Sequence, residues 1–431
     1  MPIVYPHRRF GLPVIFRIDR ALFVWYMFGI VLRYLFVDMN SYFATVEQQA
    51  QPTLRGRPVG VAPMMTDSTC CIAASYEAKS FGVTTGTGVR EARRLCPGIA
   101  IVEARPQLYV EYHHRIIEAV ESCLHVDCVS SIDEMYGRLM GVERTPERTA
   151  AMAFAVKAAI RRIGEALRCS IGIASNAWLA KVASDMVKPD GMTMLLPEQL
   201  PEALYRLKLT DLPGIASRMN KRLAARGIQH VHQLCAASEA ELSAAWGSKV
   251  LGAIWHQQLR GIDLPYRPTK RGTVGHSHVL PPELRNERDA YRVAMRMLHK
   301  AAHRMRRLGY HASRLTARVS FLGGGRWKQY AALPQTRDTL TMAATLDTLW
   351  RHKPVRPPLK VSVELSELTA DRCATLPLHP AQARHEALGD TMDRINERFG
   401  RDAIYSAAML GAAHTAPTRI SFTQIPTEDE F

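Results

Sequence analysis

No CxxC pair occurs among the eight cysteines of this 431-residue chain, and no internal repeat or low-complexity tract interrupts it. The thiols, scattered at 70, 71, 96, 123, 128, 169, 235 and 373, indicate neither a structural zinc site nor a disulfide framework. Cys123 and Cys128 flank a histidine, yet buried thiols account for them more simply. A reducing cytoplasm is the expected compartment. Acid is scarce as well: 40 Asp plus Glu stand against 56 Lys plus Arg, a net charge of +16 with a pI near 9.7. An excess spread over the whole chain fits an anionic polymer as partner, with a basic membrane-surface protein as the plainer rival. Hydrophobic residues make up 47% of the chain, which excludes wholesale disorder. The length corresponds to about three domains.

Also missing is an uninterrupted apolar run of membrane length. The stretch from Ala21 to Val37 is broken by Arg33 and falls just short of the roughly 20 residues a spanning helix needs. Arg33 would cost about 2.5 to 3.5 kcal/mol at a bilayer centre. Arg8, Arg9, Arg17 and Arg20 precede the run as in a signal peptide, but no small-residue cleavage site follows. Its last part, "VLRYLFVD", is rich in β-branched and aromatic residues and reads as a buried strand ending in Asp38. No membrane partner is expected.

What is present is an ordered series of elements. After the strand at 34–38, a helix begins near Asn40, with Asn40 or Ser41 as its cap. Beyond an irregular stretch through Pro97, "LYVEYHHRIIEAVESCL" is helical, and "VDCVSSIDEMYGRLMG" reads as two short strands around an acidic pair. "TAAMAFAVKAAIRRIGEAL" is helical again and "CSIGIA" is a strand. Without the irregular insertion the order is βαββαβ, the ferredoxin-like arrangement. From about 200 the chain is helical and Ala-rich, and "GIDLPYRPTKRG" reads as a linker. In "ERDAYRVAMRMLHKAAHRMRRLG", Ala290, Ala294, Met297, Ala301, Met305 and Leu308 share one helix face, while Arg292, Arg296, Lys300, Arg304 and Arg307 lie elsewhere. "SRLTARVSFLGG" alternates Leu315, Ala317, Val319 and Phe321 against Arg314, Thr316, Arg318 and Ser320, and "LKVSVEL" alternates similarly. A separate α/β domain with a basic sheet face is expected there.

Three carboxylates carry the chemistry. Asp38 ends a buried strand, while Asp133 and Glu134 sit between two strands of the same expected sheet. Like charges a few Å apart raise one another's pKa, so such a group stays ionised only if cations neutralise it. Divalent metal answers that need, because Mg²⁺ prefers one or two carboxylates plus phosphate oxygens, and two ions can serve both ends of an in-line displacement. "IDE" alone would be an ordinary solvated turn; the case rests on its conjunction with Asp38.

The motifs "YLFVDMNSYFATVE", "ASYEAKSFGV", "SSIDEMY", "SIGIASNAWLAKVASDMVKPDG" and "LPGIASRMNKRLAARGI" together resemble the Y-family translesion DNA polymerases, of the DNA polymerase IV type. The resemblance runs from about Tyr34 to Leu264 in the family's motif order, and more loosely beyond 274. It implies an α+β multidomain right-hand polymerase: palm at 33–42 and 103–199, fingers at 43–102, and a helix-hairpin-helix thumb at 200–264. A linker at 265–274, a DNA-binding little-finger domain at 275–412 and a tail at 413–431 complete it. Residues 1–32 fall outside the resemblance as an N-terminal extension, with Met27 as an alternative start that would remove 1–26.

Residue by residue, the resemblance implies that Asp38, Asp133, Glu134 and the backbone carbonyl of Met39 hold two Mg²⁺. Phe43 falls at the steric-gate position, where an aromatic ring beneath the sugar excludes a 2′-OH; by itself it would read as a core Phe. Tyr76, Lys79 and Lys188 match the triphosphate-binding positions, and Lys79 stands where Arg is frequent, exchanging a bidentate grip for a point charge. Without the motif they would read as surface groups. Pro213, Gly214 and Ile215 match the hairpin turn whose N–H groups meet a DNA phosphate, although Ala216 replaces a usual glycine and a plain αα-hairpin is the simpler reading. Arg314 and Arg318 belong to a basic face suited to phosphate tracking. Met135 stands where a small residue is common, so packing near the metals departs from the family pattern.

The implied function is low-fidelity, template-directed DNA synthesis past damaged bases by a DNA-directed DNA polymerase. Primer-template DNA and dNTPs are the partners, and the chain is expected as a cytoplasmic monomer. Gln424 and Phe431 lack the usual clamp-binding spacing, so a sliding clamp is a minor additional partner. The alternative is a catalytically silent DNA- or clamp-binding adaptor, against which the intact acidic set argues; a nucleotidyl cyclase with a similar palm fails to explain the hairpin motif and the basic downstream domain.

Overall fold

A computed structural model describes residues 31–265, 270–375, 377, 380–400, 402–412, 415, 420 and 425. The expectations for residues 1–30 and for Gln424 and Phe431 lie outside them. The chain divides near residue 265 into two compact units.

The first unit is built on β1 (Tyr34–Met39), whose six residues are all buried. After the helix Tyr42–Ala50 come β2 (Val59–Ala62), β3 (Ala73–Ala74), the short helices Tyr76–Lys79 and Val89–Leu95, and β4 (Ala100–Glu103). β3, β2 and β4 form a small sheet of their own, packed over Cys71, Ala74, Ala78, Val83, Ala92 and Cys96. The helix Pro106–Glu121 leads to β5 (Cys128–Val129) and β6 (Glu134–Arg138), and the helix Pro146–Ile163 leads to β7 (Cys169–Ala174). The helix Ala177–Met186 and β8 (Met192–Met194) follow. The main sheet has the order β5-β6-β1-β7-β8, with β1 antiparallel to both β6 and β7. Its first four strands realise the βαββαβ pattern, and β8 adds a parallel edge beside β7.

One close approach fixes the next layer. A Cβ on Gly172 would lie 1.9 Å from the Ala180 carbonyl and 2.3 Å from the Ser184 nitrogen. Only glycine therefore lets the helix Ala177–Met186 press directly onto β7. The segment after 200 forms helices Ser217–Ala224, Val231–Ala236, Glu239–Trp246 and Lys249–Gln258, and shares one apolar cluster with Tyr34, Phe36, Leu179 and Ala183.

The second unit contains β9 (Thr273–Val279), β10 (Tyr310–Phe321), β11 (Arg326–Thr336), β12 (Pro358–Ser366) and the short β13 (Thr369–Ala370). The sheet order is β11-β10-β12-β9. The helices Glu287–Arg307 and Thr339–Trp350 bury their apolar residues in one cluster with Leu315, Ala317, Val319 and Phe321, the residues read from the alternation.

Four local expectations change. The helix after β1 starts at Tyr42 with Ser41 in the left-handed region and no side-chain cap. The Ser41 hydroxyl instead accepts from Lys79 at 2.7 Å, and the Asn40 amide bonds Ser170 and the Asp190 N–H. β9 begins at Thr273, so the end of the expected linker is strand. Arg296, read as lying off the apolar face, is buried, because Asp402 grips it at 2.9 and 3.2 Å. Leu308 lies in the open instead.

Candidate active site

β1 delivers Asp38 to the end of the main sheet, where it pairs in register with Glu134 on β6 and Ser170 on β7. Asp133 occupies the turn before β6; its carboxylate accepts from the Ser131 hydroxyl at 2.5 Å, and its carbonyl accepts from the Met39 N–H at 2.8 Å. The three carboxylates read from the sequence, together with Met39, thus share one corner of the sheet. Burial pushes the Asp133 carboxyl up, and the Asp38 charge adds to this against the Ser131 bond. Burial likewise raises Glu134, opposed by the Lys181 ammonium.

The sequence reading missed the counter-charge. On the helix Ala177–Met186, Lys181 pairs with Asp38, with Glu134 at 2.9 Å and with Asp185 at 3.1 Å. Just beyond that helix, Lys188 reaches Asp38 at 2.8 Å and Asp185 at 2.7 Å. Burial alone would lower the Lys181 ammonium, but Asp38, Asp185 and Glu134 hold it well above its ordinary range. Lys188 is raised by Asp38 and Asp185 against its own burial and the nearby Lys181 charge. A signal existed in the spacing: 181 and 185 are four residues apart and so share one helix face, and 188 follows just past the helix end.

The residues expected to meet the nucleotide gather at the same corner. Tyr76 opens the helix Tyr76–Lys79, and the Lys79 ammonium lies 4.3 Å from the Tyr76 ring centroid. Burial and the nearby Lys188 charge lower Lys79, and Tyr76 is raised by burial with Lys188 opposing, so these three groups sense one another. Phe43 is half-buried and stacks on Tyr109 with centroids 4.4 Å apart and planes 16° from parallel. Beneath it the Tyr109 hydroxyl donates to Glu47 at 2.7 Å, and Arg105 holds the buried Glu47 carboxylate. This support for Phe43 was not read from the sequence.

The donor chemistry fits a hard divalent cation, since every candidate ligand is oxygen and buried carboxylates require neutralisation. Among the described residues no group of three acidic, His or Cys side chains is drawn together tightly enough to hold a metal as it stands. The ammonium groups of Lys181 and Lys188 stand among the carboxylates instead.

The hairpin residues lie in the helical segment after 200. Gly214 has φ +99°, and a Cβ there would sit 3.0 Å from the Trp255 ring. The Pro213 carbonyl accepts from the Trp178 indole at 3.0 Å. Ile215 is buried and its N–H donates to the Leu212 carbonyl at 3.0 Å, which removes that donor from the expected phosphate contacts. In the second unit, Arg314 pairs with Glu367 at 2.7 Å and lies 5.0 Å from the Tyr330 ring centroid. Arg318 makes a two-point pair with Glu364 at 2.9 and 3.0 Å. The register sets Arg318 beside Lys328 and Ser320 between Arg326 and Lys360, so the open face is basic.

Three family models match in chain order: the impB/mucB/samB family over residues 37–185, the DNA polymerase-iota thumb domain over 210–263, and the impB/mucB/samB family C-terminal domain over 271–378. The fold is also that of a solved Y-family DNA polymerase chimera of Dbh and Dpo4, with a TM-score of 0.65 at 23% identity, covering 78% of this chain and 99% of that one. Palm, fingers, helical thumb and C-terminal sheet domain together define the class, a Y-family DNA polymerase. DNA polymerase IV of Moorella thermoacetica is 33% identical over 394 residues, covering 88% of this chain and 96% of the relative. That of Pelotomaculum thermopropionicum is 32% identical over 390 residues with the same coverage. The chain belongs to the DNA polymerase IV family, whose members are DNA-directed DNA polymerases performing translesion synthesis and typically using divalent metal ions. Among the described residues no helix is long and apolar enough to cross a membrane.

Proposed function

We propose that the corner formed by Asp38, Asp133 and Glu134 is the catalytic centre of this polymerase. In this reading a primer 3′-OH attacks the α-phosphate of an incoming dNTP opposite a template base, damaged bases included; the new O3′–Pα bond replaces the bond from the α-phosphorus to the bridging oxygen, the 3′-OH proton passes to solvent and pyrophosphate leaves. The observation that carries it is the register pairing of Asp38 with Glu134, with Asp133 adjacent and Tyr76, Lys79 and Lys188 converging on the same corner. Asp38, Asp133, Glu134 and the Met39 carbonyl would hold two Mg²⁺, which supply charge for the attacking and leaving oxygens.

The chain's own groups do the remaining work. Lys188 exchanges its carboxylate partners for the triphosphate, joined by Lys79 and the Tyr76 hydroxyl. Phe43, held flat against Tyr109, lies under the sugar and leaves no room for a 2′-OH. Positioning supplies much of the rate, as in phosphoryl transfer generally. Primer-template DNA would be gripped by the turn around Gly214 and by the Arg314 and Arg318 face, through phosphates and without sequence readout. The domain boundaries proposed are those of the sequence reading, with β9 assigned wholly to the little finger.

Primer extension on undamaged and damaged templates tests this, with Asp133→Ala as the control. Extension past the lesion by the unmodified chain and its loss in Asp133→Ala is the expected result. A purified chain that binds primer-template yet never extends it would favour the adaptor.

A further inference from the structure

The function proposed above gives Lys181 no part, yet this one side chain touches three carboxylates of the site: Asp38, Glu134 and Asp185. Its surroundings differ from those of Lys188. Lys188 lies two residues beyond the helix Ala177–Met186, in the turn that carries Pro189. Lys181 sits inside that helix, on a segment pressed against β7 through Gly172, and its ammonium also lies 5.6 Å from the Phe36 ring centroid. Lys188 can leave with a modest side-chain rearrangement. Lys181 is held by its helix, and among the described residues its ammonium meets the carboxylates and the Phe36 face.

We infer that Lys181 is a built-in counter-cation, a positioning residue that gathers Asp38, Glu134 and Asp185 before a divalent ion arrives and opposes that ion's entry by its own charge. The inference rests on the metal-binding reading of Asp38, Asp133 and Glu134. Two physical effects give it content. Carboxylates gathered around the buried Asp38 repel one another unless a positive charge stands between them. A fixed ammonium beside an incoming divalent ion repels it strongly in a partly desolvated pocket, where effective screening is weak. Lys181 thus keeps the site folded without metal at the cost of metal affinity, which leaves full occupancy to the moment when triphosphate oxygens join the ligand set.

The test uses the full chain and Mn²⁺ alone, without DNA or nucleotide. Binding is measured by electron paramagnetic resonance in the unmodified protein and in Lys181→Met, Lys181→Gln and Lys181→Arg, with thermal unfolding followed in EDTA and in Mn²⁺. Lys181→Met and Lys181→Gln are expected to bind Mn²⁺ about tenfold more tightly, the scale set by removing one nearby like charge. Both should unfold at lower temperature in EDTA and recover in Mn²⁺, while Lys181→Arg, which keeps the charge, binds Mn²⁺ like the unmodified protein. Unchanged or weaker Mn²⁺ binding by the folded Met and Gln variants overturns the inference. So does unfolding of both that Mn²⁺ fails to reverse. Asp133→Ala is measured in parallel: if it binds Mn²⁺ as the unmodified chain does, the metal assignment itself has failed, a result distinct from failure of the Lys181 inference.

Discussion

The proposed catalytic corner of the first unit and the open sheet face of the second are built from the same two kinds of side chain with the roles reversed. At the corner, carboxylates around the buried Asp38 are the proposed working groups and lysines neutralise them; on the sheet, arginines face outward and Glu364 and Glu367 neutralise them. Exposure separates the innermost corner pair from the sheet pair. The Lys181 and Asp38 side chains are 17% and 6% exposed, whereas Arg318 and Glu364 are 38% and 28% exposed. In the drier setting a pair fixes geometry, and losing one member strands the other charge. In the wetter one a pair contributes little, and a DNA phosphate can replace the glutamate at small cost.

The comparison breaks most visibly at the corner. Asp38→Ala or Asp133→Ala is expected to slow nucleotide incorporation on the order of 10³-fold, the scale of losing a preorganised electrostatic group, with primer-template affinity nearly unchanged by gel shift. A fall in both together would mean that the corner holds DNA and not the reacting groups. Next comes the gate. Phe43→Ala should reduce discrimination against ribonucleotides by about 10²-fold, the range for rejecting one added hydroxyl. Tyr109→Leu, which removes the stacked support and keeps the gate ring, should produce a smaller loss of the same kind in competition assays.

A buried pair within the second unit sharpens the contrast, because it should behave like the corner despite its location. Arg306 holds Asp393 at 2.6 and 2.9 Å, and despite burial the His303 and Arg306 contacts bring the Asp393 carboxyl down to about 2. The folded value lies below the unfolded one, so its stabilisation is present above about pH 4 and disappears as pH falls toward 2. Asp393→Asn should therefore cost about 2 kcal/mol near neutrality, with the difference closing in acid; a pH-independent loss in denaturant titrations would assign the effect to packing.

The smallest effects belong to the sheet. Arg318→Ala should weaken primer-template binding and lower the magnitude of the salt slope by about one. Glu364→Gln should act in the opposite direction, tightening binding slightly by releasing Arg318. If Glu364→Gln weakened binding, the pair would be holding Arg318 in its DNA-competent position, and the contrast between dry and wet pairs would need revision.

The extent to which the sequence discloses all this follows the range of each interaction. Asp38 at the end of an apolar strand and the alternation from Arg314 to Phe321 are local patterns, and each occupies the expected element; of the acidic pair, Asp133 lies between the two short strands as expected while Glu134 opens β6. Hidden from a local reading were contacts between distant segments. Arg296 looked like a solvated face residue because its partner Asp402 lies 106 positions away. Ser41 looked like a cap because the lysine that draws its hydroxyl elsewhere is Lys79, in another helix. Lys181 and Asp185 lie inside a quoted motif at helical spacing, yet only the packing of their helix on Gly172 brings them to Asp38.

The most direct test of the central claim is single-turnover dNTP incorporation by Glu134→Ala on a bound primer-template. The account predicts that DNA remains bound while incorporation is lost, because the site beside Asp38 has lost one of the carboxylates that would hold the metal ions at the site of attack. Incorporation at the unmodified rate would contradict it.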